Sequence, residues 1–306
     1  MLRYDDLQVF VHTSDSGSLS AAARQLEISP AVASAALKRL ESELEVRLFA
    51  RSTRSLRLTP EGDAFLLHAR ASLRSLEEGR RLLQGGKDQI AGVLQLSAPS
   101  DFGRNLLLPW LDEFQARYPQ LSLRLLLGDR VTDLYRQPVD VAIRYGAPAD
   151  SSLVALPLAP DNRRVLCAAP GYLAERGEPR PPADLREPNC LRYQLGGRVH
   201  DRWAFQRGRR SLTLTVAGDR VCDDADVVRR WALAGKGLVY KSWLDVAEDV
   251  RAGRLRLLLP EWQGEATPMN LLCTHRAQLT RPVTLLRAFV RERCDALLAE
   301  APWTRN

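Results

Sequence analysis

The chain has 306 residues, 45% of them hydrophobic and 26% charged, which is length for about two soluble domains; no run reaches the ~18 apolar residues of a membrane helix. A formal charge of +7 admits a nucleic-acid partner, yet residues 1–58 hold eight Lys or Arg against seven Asp or Glu, so local placement must carry any electrostatic argument. Five cysteines, Cys167, Cys190, Cys222, Cys273 and Cys294, form no C-x-x-C pair; this argues against structural zinc and a disulfide framework and leaves packed thiols or a redox pair.

The first residues, Met1 to Asp6, have no apolar signal-peptide core, so a cytoplasmic protein is expected. Ser18 stands as an N-cap ahead of a helix over 19–26, and Ser29 caps a second over 31–43 with Pro30 at its first turn. Leu19, Ala22, Ala23 and Leu26 line one face of the first, and Val32, Ala36, Leu37 and Leu40 the inner face of the second. This is a helix-turn-helix whose second member turns Ala31, Ser34, Ala35 and Lys38 outward, toward a DNA major groove. Arg47, Arg51, Arg54 and Arg57 follow within eleven residues free of acids; they read either as a phosphate-facing wing or as a solvated surface hairpin.

Thr59, Pro60 and Glu61 open a long helix that Gly85 and Gly86 stop. Leu66, Ala69, Leu73, Leu76 and Leu83 recur at three- and four-residue steps, interrupted at Arg80, giving either a seam for a paired helix or one amphipathic helix lying on its own domain.

From Val93 strands alternate with helices: strands over 93–97, 121–127 and 139–145, a helix over 103–117, then a crossing strand near 163–168. A second αβ lobe uses a strand over 212–216, a helix over 225–234 and a strand over 237–240, and the chain returns near 267–274 before a final helix over 282–298. The alternation predicts parallel sheets in two α/β lobes, with a cleft at the strands' carboxyl ends. The boundaries read as DNA-binding domain 1–59, linker helix 60–86 and effector domain 87–306, with one lobe at about 87–160 and 266–306 and the other at about 161–265.

Ser97, Pro99 and Ser100 end the first strand where a small anion could be held, and Arg144 ends the third; alternatively Ser100 is only a helix cap and Arg144 pairs with Asp140 or Asp133. In the second lobe Gly197, Arg198 and Trp203 border a polar loop that also holds His200, and Asp224 precedes a helix. Enzymatic motifs are missing: the four histidines have no metal-ligand spacing, and neither a G-x-S-x-G elbow, a Walker loop nor a G-x-G-x-x-G fingerprint occurs. The expectation is no catalytic residue, no metal and no cofactor beyond a small-molecule co-inducer.

These residues carry a family resemblance. Leu7 and Phe10, the run Gly17 to Ala22, Leu26, Ser29, Val32, Ser34, Leu37, Leu40 and Glu41, then Leu48 to Arg51 and Leu58 to Gly62, resemble the LysR-type transcriptional regulators. The similarity continues through Arg117 to Pro119, Asp140 to Arg144, Pro170 to Leu173 and Ala234 to Gly237, nearly the full length. The resemblance implies a winged helix-turn-helix, a linker that dimerises and builds a dimer of dimers, and a bilobed effector domain like periplasmic binding proteins. It further implies promoter DNA, an effector and RNA polymerase as partners, with effector contacts in the segments named above. The chain departs from the pattern at Pro30, Ala35 and Val46, where polar base-reading side chains and a glycine would stand. Direct readout is then expected to be sparse, resting on Ser34, Lys38, thymine-methyl contacts, wing arginines and DNA shape.

Overall fold

The computed structural model describes residues 1–51, 56–83, 90–129, 139–146, 153–195 and 197–305, leaving aside the side chains of Arg51, Arg74, Glu78, Arg81, Leu82, Leu83, Ala277 and Arg305. It divides into two compact units, Met1–Gln89 and Ile90–Asn306. Among the described residues no helix is long and apolar enough to cross a membrane.

The first unit opens with α1 (Tyr4–Ser16), α2 (Leu19–Gln25) and α3 (Pro30–Glu43). Ser18 Oγ accepts the Ala21 amide at 3.4 Å and Ser29 Oγ the Val32 amide at 3.2 Å, so both serines are N-caps. Ala22, Ala23, Ala33 and Ala36 are buried between the helices, where methyl groups allow close approach. Val32 is half exposed, against the sequence expectation: Ala33 faces inward instead, since it completes the face of Ala36, Leu37 and Leu40 at three- and four-residue spacing.

A hairpin of β1 (Phe49–Arg51) and β2 (Leu56–Leu58) follows, then α4 (Pro60–Leu83). Glu41 anchors the hairpin from α3: its buried carboxylate accepts the Leu48 and Phe49 amides at 2.8 and 3.3 Å and a bond from Arg47 at 2.9 Å. Thr59 Oγ1 donates to the Arg47 carbonyl at 2.6 Å and accepts the Gly62 amide at 2.9 Å, capping α4. A Cβ on Gly62 would lie 2.1 Å from the Leu48 carbonyl oxygen, so only glycine lets α4 dock there. Leu66 and Ala69 are buried in the same core as Phe10, Leu37, Leu40 and Leu48. The first half of the expected seam therefore belongs to this domain, while Leu76 is 58% exposed.

The second unit contains β3 (Gly92–Ala98), α5 (Ser100–Phe102), a π turn at Gly103–Leu107, α6 (Leu108–Arg117), β4 (Leu121–Leu127), β5 (Val141–Tyr145) and β6 (Val154–Ala159). Next come β7 (Arg164–Ala168), α7 (Pro170–Arg176), β8 (Cys190–Leu195), β9 (Arg198–Val199), β10 (Arg202–Arg207), β11 (Arg210–Thr215), β12 (Val221–Cys222), α8 (Ala225–Leu233), β13 (Leu238–Ser242), α9 (Trp243–Arg251), β14 (Arg256–Leu258) and β15 (Gln263–Gly264). β16 (Met269–Cys273) and α10 (Arg281–Leu298) complete it.

One sheet runs β4-β3-β5-β16-β6 and the other β12-β8-β13-β7-β14, with β9 on β8; β11-β10-β15 form a third. The sheets are mixed, not parallel throughout. β3 is parallel to β4 and β5, but β16 is antiparallel to β5 and β6, and β7 is antiparallel to β13 and β14. The strand expected over 212–216 lies in the third sheet rather than the lobe's main one. The two crossing segments pair with each other: Arg163 bridges Ala266, the Thr267 amide donates to the Asn162 carbonyl at 2.8 Å, and fully buried Asn162 donates to Thr267 O at 2.8 Å and Ser242 Oγ at 2.9 Å.

Candidate nucleic-acid interface and effector site

On the helix-turn-helix, Ala31, Val32, Ala35 and Lys38 are exposed and Ser34 is half-buried, so one face of α3 offers methyl groups, one hydroxyl and one ammonium. Ser18 and Ser29 act as caps and Pro30 as the first helical residue, which sets the angle of the helix ends. Arg39 is held away from that face by a bidentate pair with buried Asp6, at 2.6 and 3.2 Å. Arg57 lies on β2, exposed; the side chain of Arg51 and the whole of Arg54 fall outside the described residues.

In the second unit the carboxyl ends of β3 and β5 meet the start of α8 and the end of β13. Ser97 and Ser100 are both buried. Arg144 donates to Ser97 Oγ at 2.9 Å and to the Ile143 carbonyl at 2.7 Å, both neutral oxygens, and burial lowers the stability of its charge while Asp129 supports it. Asp140 Oδ2 accepts the Gln95 amide at 2.8 Å, and Asp133 lies outside the described residues.

Ser100 is more than a cap. Its amide donates to Asp129 Oδ1 at 2.8 Å, its hydroxyl donates to Asp129 Oδ2, and its own Oγ accepts the Ala225 amide of α8 at 3.1 Å. Asp224 caps α8 through the Asp226 and Val227 amides and pairs with Arg104 at 2.9 Å. Burial pushes the Asp224 carboxyl up, but Arg104 and Ser100 outweigh it and hold it below the ordinary range. Asn105 bridges the lobes as well, donating to Asp101 Oδ1 at 2.7 Å and Asp226 Oδ1 at 2.9 Å.

Beneath these lies a charged cluster that the sequence did not reveal. Lys241, on β13 and 1% exposed, pairs with Asp101 from the first lobe, approaches Asp245 at 3.4 Å and donates to the Ala225 carbonyl at 3.0 Å. Tyr145 donates to Asp245 Oδ1 at 2.6 Å, and Arg229 pairs with Asp249 at 2.6 Å. Burial pushes the Asp101 carboxyl up, to about 7, against the lowering pull of Lys241; the surrounding carboxylates outweigh burial and hold the Lys241 ammonium above its usual range. The one visible signal is a lysine directly after the apolar run Leu238 to Tyr240.

Three of the expected effector residues lie elsewhere. Trp203 is 1% exposed in the core with Phe205 and Tyr240, its indole donating to the His200 carbonyl at 3.3 Å. Gly197 and Arg198 sit exposed on the β8–β9 hairpin. Among the described residues no group of His, Cys, Asp and Glu could hold a metal. Burial pushes up the thiols of Cys167, Cys190, Cys273 and Cys294, those of Cys190 and Cys294 to about 12, which suppresses the thiolate.

Comparison with known proteins assigns a family to both parts of the chain. Residues 4–63 match the bacterial regulatory helix-turn-helix protein, lysR family, and residues 87–295 the LysR substrate binding domain. The HTH-type transcriptional regulator DmlR of Escherichia coli (strain K12) is 32% identical over 275 residues, 90% of this chain and 88% of that protein. The HTH-type transcriptional activator AaeR of the same strain is 32% identical over 291 residues, 94% and 92% of the two chains. Among solved structures, CrgA, a LysR-type transcriptional regulator from Neisseria meningitidis, superposes with a TM-score of 0.59 at 30% identity, covering 95% of this chain and 98% of its own.

Proposed function

The chain belongs to the LysR-type transcriptional regulators, and from that premise we propose how its parts divide the work. Residues 1–59 bind promoter DNA, 60–86 pair two chains, and 87–306 take up a small molecule in two lobes, 87–160 with 266–306 and 161–265. The family's DNA-binding and effector-binding domains are both present, so promoter binding is modulated by an effector. The proposal adds which residues do it.

The exposed face of α3 carries the DNA reading. Lys38 and Ser34 supply the polar contacts, Ala31, Val32 and Ala35 can meet thymine methyl groups, and Arg51, Arg54 and Arg57 reach phosphates or a narrow minor groove. The effector enters between the lobes at Ser97, Ser100, Arg144 and the start of α8, supported by one observation above the others: donors from both lobes, the half-buried Arg144 and Ala225, converge there on buried serines. A dimer, and a dimer of dimers, would place several recognition helices along one promoter in the cytoplasm, with RNA polymerase as the further partner. No catalytic step is assigned.

The test of the DNA half is binding to the protein's own upstream DNA across a salt series. Lys38→Ala is expected to cost about 1–3 kcal/mol on the cognate site, and Arg57→Ala to lower the salt slope by about 1. Unchanged affinity and slope in both variants, and in the Arg51→Ala, Arg54→Ala double variant, would remove this surface from the reading.

A further inference from the structure

The carboxylate of Asp129 stands just after β4 in the first lobe and is bound as a ligand would be. Oδ1 takes the Ser100 amide at 2.8 Å, and Oδ2 takes the Ser100 hydroxyl and the Ala225 amide at 2.7 Å, at the start of the second lobe's α8. Arg144, half-buried and bonded among the described residues to neutral oxygens, adds favourable charge interaction with the same carboxylate. Two amides, a buried hydroxyl and a nearby guanidinium make a complete carboxylate receptor.

The receptor has no spare donor at the helix end. The next two amides of α8, those of Asp226 and Val227, are taken by Asp224, and Asp224 is in turn held by Arg104. An incoming carboxylate cannot simply add to this arrangement. It must take the place of one already there.

We propose that Asp129 is a built-in ligand: its carboxylate fills the effector's anion position, joins the lobes without effector, and is exchanged for the carboxylate of a small organic acid. The proposal rests on the cleft being the effector site. The exchange keeps each hydrogen bond, so affinity for the acid comes from the rest of its body. Because the tethered carboxylate competes, the free receptor is a minor population, and apparent affinity falls by the fraction that is open. Deleting the tethered carboxylate should therefore expose a receptor for any small carboxylate.

The probe is acetate, titrated into the full-length wild type and Asp129→Ala by calorimetry and thermal unfolding, with chloride at equal ionic strength as control. Asp129→Ala is expected to unfold at a lower temperature, to recover saturably with acetate but not chloride, and to bind acetate at least about tenfold tighter than wild type, as follows if the site is ninety per cent self-occupied. Adding Ser100→Ala should abolish the recovery. Should the alanine variant fail to fold, Asp129→Asn, which keeps the shape and removes the charge, is read by the same criteria. Equal acetate responses in wild type and variant would overturn the proposal and leave Asp129 a helix cap. A metabolite acid that binds wild type through Ser97 and Arg144, with unchanged affinity in Asp129→Ala, would overturn the built-in ligand while preserving the cleft reading. Binding abolished by substitutions on the β8–β9 hairpin but not by those in the cleft would overturn both.

Discussion

Asp101 and Lys241 join the two lobes through a buried pair, and their protonation gives that junction a pH dependence. The native Asp101 carboxyl binds its proton up to about 7, whereas an unfolded aspartate has lost it near 4. Between those limits the folded chain holds the extra proton, so this group's contribution is fully present at the acid end and is lost as pH rises through about 7. Denaturant unfolding of the full chain should show stability falling between about pH 4 and 7, by up to about 1.4 kcal/mol per pH unit from this group, and levelling off above. Asp101→Asn should flatten that slope, and an unaltered slope in the variant would show that the carboxyl is ionised throughout. The same pair explains where the sequence was opaque. The strand reading stops at Tyr240 because Lys241 is charged, whereas β13 continues to Ser242, since acids from both sides neutralise the ammonium. Trp203 was misplaced for the converse reason: it borders a polar loop in sequence, but Tyr240, its ring neighbour at 5.3 Å, is 37 positions away and invisible to local pattern.

Elements governed by local rules were legible, and those governed by distant partners were not. The helix-turn-helix is written in its caps and alanines, and α4 in Thr59 and Pro60. No sequence expectation covered β8, β10 or α9, because their charged and polar residues break simple alternation and their apolar partners come from other elements. On α4 the periodicity was visible but not its recipient: Leu66 and Ala69 face the hairpin core, while Leu76 remains exposed. Gly62→Ala should cost about 1–3 kcal/mol, since the new methyl collides with the Leu48 carbonyl and α4 must lift from β1; thermal unfolding of the first unit's transition would register it. Leu76→Asp should weaken self-association, read by sedimentation, with little change in monomer stability. A dimer of undiminished affinity would place the interface elsewhere than the distal half of α4.

For the whole molecule, the paired crossings at Asn162, Arg163, Ala266 and Thr267 join the lobes through two adjacent backbone segments, so relative motion must keep or break those bonds together. An effector that favours one lobe arrangement is expected to shift DNA affinity by about 1–3 kcal/mol, and DNA to shift effector affinity equally; unequal shifts in the two titrations would break that linkage. The methyl-rich face of α3 has a consequence for how promoters are found. With few groups able to tell one base pair from another, a single half-site competes poorly against the roughly 10⁶–10⁹ chance sequences of a genome. Geometry between half-sites then has to supply the information that base contacts lack. Inserting about five base pairs, half a helical turn, between two half-sites should harm binding more than any single base change within one. The regulated genes of such a protein would be set by the spacing of degenerate sites, so new ones could be recruited by small insertions or deletions as readily as by point mutation.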